Sequence, residues 1–80
     1  MINVALFGFG RIGQMHAENL NKHREVKLLY VFDKSVQLRD KAKKLYNCKL
    51  EKNYINIFKD INVDIIFISS PTNTHIKFIE

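Results

Sequence analysis

Apolar and polar residues fall into blocks along this chain, and the period changes from block to block. Residues 2–7, "INVALF", are apolar everywhere except Asn3, as in a strand covered on both faces. From Arg11 to about His23 the spacing becomes helical, with Ile12, Met15, His16, Leu20 and His23 in phase and no proline. Residues 26–32, "VKLLYVF", read as a second strand rich in β-branched and aromatic residues, ended by Asp33. Ser35 is a suitable N-cap for a helix from Val36 to Tyr46. Val36, Leu38, Ala42, Leu45 and Tyr46 would form its buried side, and Asn47 its stop. Cys48–Leu50 reads as a short third strand, and Tyr54–Asp60 as a short helix. Residues 65–69, "IIFIS", form a fourth strand. The polar stretch "SPTNTH" follows, and "IKFIE" opens another helix that Thr72 or Asn73 would cap.

Strands alternating with helices predict βαβ units and an α/β fold. The expected architecture is a doubly wound parallel sheet of Rossmann type with strand order 3-2-1-4, incomplete because the second half is not present. The last residues enter a helix that carries no stop signal. Residues 1–80 are therefore expected to be the front portion of a longer protein.

All three glycines of the chain lie within six residues, Gly8-Phe9-Gly10-Arg11-Ile12-Gly13. The pattern follows a strand, opens a helix, and precedes an acid, Asp33, at the end of the next strand. That is the context of a dinucleotide fingerprint. Gly8 would permit the tight turn. Gly10, lacking a Cβ, would admit a pyrophosphate, and Gly13 would let the helix approach the sheet. Backbone N–H groups near Arg11 and Ile12 have no intrahelical partner, and they carry the positive end of the helix dipole. Asp33 would accept hydrogen bonds from the adenosine ribose, which favours NAD. Lys34 beside it would offset repulsion of a 2′-phosphate, so use of NADP stays open. The alternative is that Gly10 and Gly13 serve packing alone and that Asp33 is a turn residue.

In the 3-2-1-4 order the loops after the first and fourth strands flank one crevice. The second of these loops holds Ser70, Pro71, Thr72, Asn73 and His75, which offer hydroxyl, amide and imidazole groups to ribose or nicotinamide. The alternative is a well-capped turn with His75 at the surface.

Composition narrows the classes. The chain has 80 residues, 46% hydrophobic and 26% charged, which suits one small folded domain. Its formal charge of +5 raises nucleic acid as a partner. The densest basic stretch, Arg39, Lys41, Lys43 and Lys44, has an apolar face beside it and reads as a solvated helix surface. No nucleic-acid partner is expected. The single cysteine, Cys48, allows no internal disulfide, which fits a reducing compartment. No segment reaches the roughly 18 apolar residues of a membrane span. A cytoplasmic protein without a membrane partner is expected. His16 and His23 show no metal spacing with Cys48 or with each other and read as structural or solvent-facing.

The segments "GFGRIGQMHAENL", "VFD" and "DIIFISSPTNTH" together resemble the Gfo/Idh/MocA family of oxidoreductases, with an especially close likeness to inositol 2-dehydrogenases. The resemblance implies an NAD(P)-dependent enzyme that transfers a hydride between nicotinamide and a secondary alcohol of a polyol, cyclitol or sugar. It implies that Gly8, Phe9, Gly10, Arg11, Ile12 and Gly13 form the phosphate loop. Asp33 with Lys34 would then serve the ribose, and Ser70, Pro71, Thr72, Asn73 and His75 the nicotinamide side. The family's Glu-Lys-Pro motif and its catalytic aspartate and histidine fall outside these 80 residues, so no residue here is assigned a catalytic role. The fragment alone is expected to be inactive, and the full-length protein to be a homo-oligomer. A different class, a regulatory module that senses NAD or ATP, would share "GFGRIG" and Asp33 but not "SSPTNTH".

Overall fold

The computed structural model describes residues 1–69 and 74–78. The elements in chain order are β1 (Ile2–Phe7), α1 (Arg11–Asn21), β2 (Val26–Phe32), α2 (Val36–Tyr46), α3 (Tyr54–Lys59), β3 (Ile65–Ser69) and β4 (Thr74–Phe78). They build one sheet in the order β2-β1-β3-β4. β1 lies parallel to both β2 and β3, while β4 runs antiparallel to β3. The central place of β1 explains its nearly continuous apolar run. Val4, Ala5 and Leu6 are buried, with helices on both sides of the sheet. Asn3, the polar exception, gives its side-chain amide to the carbonyl of Asn62 at 2.9 Å and its N–H to Asp64 Oδ2 at 2.8 Å. It thereby fixes the turn that leads into β3.

One face of the sheet packs on α1 and α2 through Leu6, Phe9, Ala17, Leu28, Val31, Ala42 and Cys48. The other packs on α3 through Ala5, Leu29, Tyr30, Ile57, Val63 and Ile66. Leu29 and Tyr30 are adjacent, yet both belong to the second face. The cause is a register shift between Val4 and Ala5, which pair with Leu28 and Tyr30 and leave Leu29 as an extra residue. A bulge of this kind reverses the alternation beyond it. Val31 therefore faces α1 and α2, and Phe32 faces α3. The Tyr30 hydroxyl donates to Asp60 Oδ2 at 2.5 Å, tying the turn after α3 to β2.

Three expectations are corrected. The third strand at Cys48–Leu50 is reduced to one parallel bridge between Lys49 and Tyr30, with Lys49 N–H donating to the Leu29 carbonyl at 2.8 Å. It lies beside β2, where the 3-2-1-4 order puts it. Only Cys48 of the three is buried, however, too little to hold a full strand. The parallel core of that order is present in β2, β1 and β3. The helix expected from "IKFIE" is not formed over Ile76–Phe78, which belongs to β4 and pairs with residues 65–67. Along β3 the same backbone finds a full ladder and covers an edge otherwise left with unpaired groups. The helix expected to reach His23 ends at Asn21, where the Lys22 N–H closes on Glu18 and Leu20.

The buried helix faces also differ in detail. Gly13 and Ala17 turn toward the sheet, whereas Met15 is 54% exposed. On α2, Ala42 is buried while Val36 and Leu45 lie outside. Small residues win because these helices sit close to the strands. The ring of His16 packs on Phe67, 4.9 Å between centroids. The caps agree with the sequence: Ser35 Oγ accepts the Leu38 N–H at 3.3 Å, and Asn47 adopts the left-handed conformation that ends α2.

Candidate cofactor site

The turn from β1 into α1 meets the C-terminal ends of β2 and β3. Gly8 leaves β1 with φ +99°, a conformation glycine adopts without strain. A Cβ there would lie 2.5 Å from the carbonyl oxygen of Ser69, at the end of β3. A Cβ at Gly13 would collide with the carbonyl of Gly8. Both glycines are demanded by protein packing. Gly10 is not: it has φ −70°, which any residue tolerates, and a Cβ there would meet none of the described residues within 4 Å. It faces open space.

That space is a cleft of about 370 Å³ lined by Gly8, Gly10, Arg11, Ile12, Gly13, Asp33 and Ser69. Gly10 is the N-cap of α1 and supplies no side-chain hydrogen bond, and the first turn of the helix holds no acid. The first N–H groups of an 11-residue helix, with the positive end of its dipole, therefore border the cleft. Arg11 is exposed there and adds a formal positive charge. This donor set suits an anion, and the bare Gly10 allows it to reach the backbone. The cleft accordingly fits the diphosphate of a dinucleotide.

Asp33 stands on the cleft wall, but its carboxylate already has partners. Oδ2 accepts the Phe9 N–H at 2.8 Å, and Oδ1 accepts the Ser35 N–H at 2.9 Å. The Gly8 N–H meanwhile donates to the Phe32 carbonyl at 2.7 Å. Asp33 thus tethers the glycine loop to the start of α2. Each oxygen keeps a further lone pair, so the carboxylate can still receive a ribose hydroxyl.

The sequence-expected residues divide as follows. Gly8, Gly10, Arg11, Ile12, Gly13 and Asp33 converge on the cleft. Phe9 does not line it; its side chain is fully buried, edge-on to Tyr46 at 6.2 Å. Lys34 is exposed and also outside the lining. Ser70, Pro71, Thr72 and Asn73 lie outside the described residues. His75 belongs to β4 and pairs with Ile68. Three further participants were not assigned to the site from sequence, Lys41 having been read as part of a solvated helix surface. Ser69 lines the cleft, a place signalled only by its position at a strand's C-terminal end. Gln14 Nε2 donates to the Phe9 carbonyl at 3.1 Å, and Gln14 Oε1 accepts from Lys41 Nζ at 3.0 Å. No local motif signals that pair, because they are 27 residues apart. Among the described residues no group of His, Cys, Asp and Glu could hold a metal ion, and no helix is long and apolar enough to cross a membrane.

The family described as an oxidoreductase family with an NAD-binding Rossmann fold matches residues 2–80. A myo-inositol 2-dehydrogenase from Thermotoga maritima is 34% identical over 79 residues, 98% of this chain and 24% of that protein. Among solved structures, myo-inositol 2-dehydrogenase from Lactobacillus plantarum superposes with a TM-score of 0.78 at 33% identity, over 89% of this chain and 22% of its own. Myo-inositol dehydrogenase from Corynebacterium glutamicum gives 0.79 at 28%, over 90% and 22%. The chain spans about a quarter of the length of the curated relatives it matches. With the family matching residues 2–80 of this chain and the fold and glycine cleft agreeing, the chain belongs to the Gfo/Idh/MocA oxidoreductases and carries their NAD-binding Rossmann fold.

Proposed function

We propose that these residues are the cofactor-binding portion of a dehydrogenase that moves a hydride between a nicotinamide dinucleotide and a secondary alcohol of a polyol, cyclitol or sugar. The observation that carries the reading is Gly10. Packing explains Gly8 and Gly13, but among the described residues none requires a missing side chain at position 10. A ligand that must touch the backbone there does require it.

Gly8, Gly10, Arg11, Ile12 and Gly13 would hold the diphosphate, and Asp33 the adenosine ribose. Its charge favours NAD, and Lys34 alongside leaves NADP as a second choice. Ser70, Pro71, Thr72, Asn73 and His75 would complete the nicotinamide side, with Phe9 acting through its backbone. The bound nicotinamide supplies the hydride acceptor; the protein supplies placement and an electrostatic setting. A general acid–base for the hydroxyl proton would come from a C-terminal substrate domain. In this reading the full-length enzyme is a cytoplasmic homo-oligomer. Similarity to inositol dehydrogenases supports a cyclitol substrate.

The test uses the full-length protein. Titration with NADH should enhance nicotinamide fluorescence saturably, and myo-inositol should drive reduction of NAD. A full-length protein that binds no dinucleotide would overturn the proposal. Binding without turnover of any polyol or sugar would instead favour the sensing module.

A further inference from the structure

We propose that Gln14 and Lys41 form a latch that sets the orientation of the Phe9–Gly10 peptide and so aims the Gly10 N–H at the cofactor's phosphate. The inference rests on the dinucleotide reading above and adds two positioning residues to it. Gln14 Nε2 donates to the Phe9 carbonyl, and Lys41 Nζ donates to Gln14 Oε1. The direction of the amide follows from chemistry. Lys41 has donors only and a carbonyl accepts only, so a single orientation of the Gln14 amide satisfies both. If Lys41 is removed, the Gln14 amide loses the contact that anchors its oxygen and is held by its bond to the Phe9 carbonyl alone.

The latch matters because of what it grips. In a planar trans peptide the C=O and the following N–H point in opposite directions. Drawing the Phe9 carbonyl toward Gln14 therefore turns the Gly10 N–H the other way. The neighbouring peptide is already secured, since the Phe9 N–H is held by Asp33 and the Phe9 ring is buried. The Phe9–Gly10 peptide has no comparable steric restraint, because glycine tolerates most backbone angles. Its orientation depends on Gln14, whose own N–H begins the helical ladder by donating to the Gly10 carbonyl at 2.8 Å. Lys41, on α2, thus reaches the phosphate loop on α1 without touching the ligand.

The experiment uses the full-length protein and four variants, Q14E, Q14L, K41M and K41R. NADH dissociation constants come from nicotinamide fluorescence and melting temperatures from calorimetry. The Gly10 amide resonance is followed in the cofactor-free protein by glycine-selective isotope labelling. Loss of one such hydrogen bond should weaken NADH about 5-fold in Q14L and K41M. K41R, which keeps the donor, should bind like the wild type. Q14E tests the direction of the Gln14 amide through the Gly10 resonance, since its added negative charge at the start of α1 weakens NADH by repulsion as well. It keeps an ion pair with Lys41, so its melting temperature should hold, but it cannot donate to the Phe9 carbonyl, so NADH should weaken. The Gly10 resonance should move in K41M and Q14E and stay in place in K41R. Wild-type affinity in Q14E, or an unmoved Gly10 resonance in K41M, overturns the latch. Failure of the wild type to bind NADH removes the dinucleotide reading instead, and the cofactor-free resonances still judge the latch.

Discussion

Asp33 Oδ2 accepts the backbone N–H of Phe9 at 2.8 Å, joining the end of β2 to the glycine loop 24 residues earlier. The same carboxylate accepts the Ser35 N–H through its other oxygen. One side chain therefore shapes the loop that borders the cleft and starts the next helix. The acid of a dinucleotide fingerprint is usually discussed for the sugar it binds. Here the acid organises the backbone of the glycine loop itself.

Replacing that acid should consequently cost stability as well as affinity. Asp33→Asn is isosteric, but it must turn an NH₂ toward either the Phe9 or the Ser35 N–H. Leaving a partly buried donor unpaired costs about 1–3 kcal/mol. The urea midpoint of D33N should fall accordingly, and NADH affinity should drop further than the loss of stability alone explains. In Asp33→Ala, discrimination against NADPH should relax. An unchanged midpoint in both variants would remove Asp33 as the loop's tether.

The glycines should separate by role. Gly13→Ala brings a Cβ into the Gly8 carbonyl, and overpacking of this kind costs about 1–3 kcal/mol or more. Gly10→Ala enters open space, where a poorer N-cap and a stiffer unfolded chain roughly cancel, within about 1 kcal/mol. Its melting temperature should stay near the wild type, while Gly10→Val should abolish NADH binding without unfolding the domain. Melts and fluorescence titrations on the three variants distinguish packing from ligand approach.

The Tyr30–Asp60 pair predicts a pH dependence. The hydrogen bond to Asp60, together with burial and the Asp60 charge, pushes the Tyr30 hydroxyl up to about 12 from its ordinary 10.0. Its folded value is raised, so its contribution is complete below about 10 and disappears as pH climbs through 12. The same bond holds the Asp60 carboxyl below its ordinary 3.8, so that contribution is present above 3.8 and lost as pH falls beneath it. Tyr30→Phe should cost about 1 kcal/mol near neutrality. Urea midpoints measured across pH should show the difference between wild type and Y30F shrinking at both extremes.

Cys48 is buried and unpaired, and burial pushes its thiol up. It packs in the core with Leu28, Val31 and Ala42. In the native protein its reaction with a thiol reagent should be slower than in denaturant, on the order of 100-fold or more, since it must wait for local opening. Mass spectrometry of the modified Cys48 peptide gives the rate. Rapid native labelling would show that this part of the core opens readily.

Much of this fold was legible one residue at a time. The apolar runs at residues 2–7, 26–32 and 65–69, the Ser35 cap and the Asn47 stop are local signals, and short-range physics is enough to read them. The spacing of Gly8, Gly10 and Gly13 and the acid at position 33 pointed to the cleft for the same reason. Other features depended on partners distant along the chain. The bulge at Leu29 arises only when β1 lies alongside, and the exposure of Met15, Val36 and Leu45 depends on how closely α1 and α2 approach the sheet. Thr74–Phe78 became a strand because the edge of β3 offered it a ladder. The tether from Asp33 to Phe9 and the bridge from Lys41 through Gln14 join segments with no common local pattern. A linear chain states which groups can donate and accept. Which of them meet is settled when the strands and helices close around a shared core, because directional bonds form only between groups that packing brings within about 3 Å.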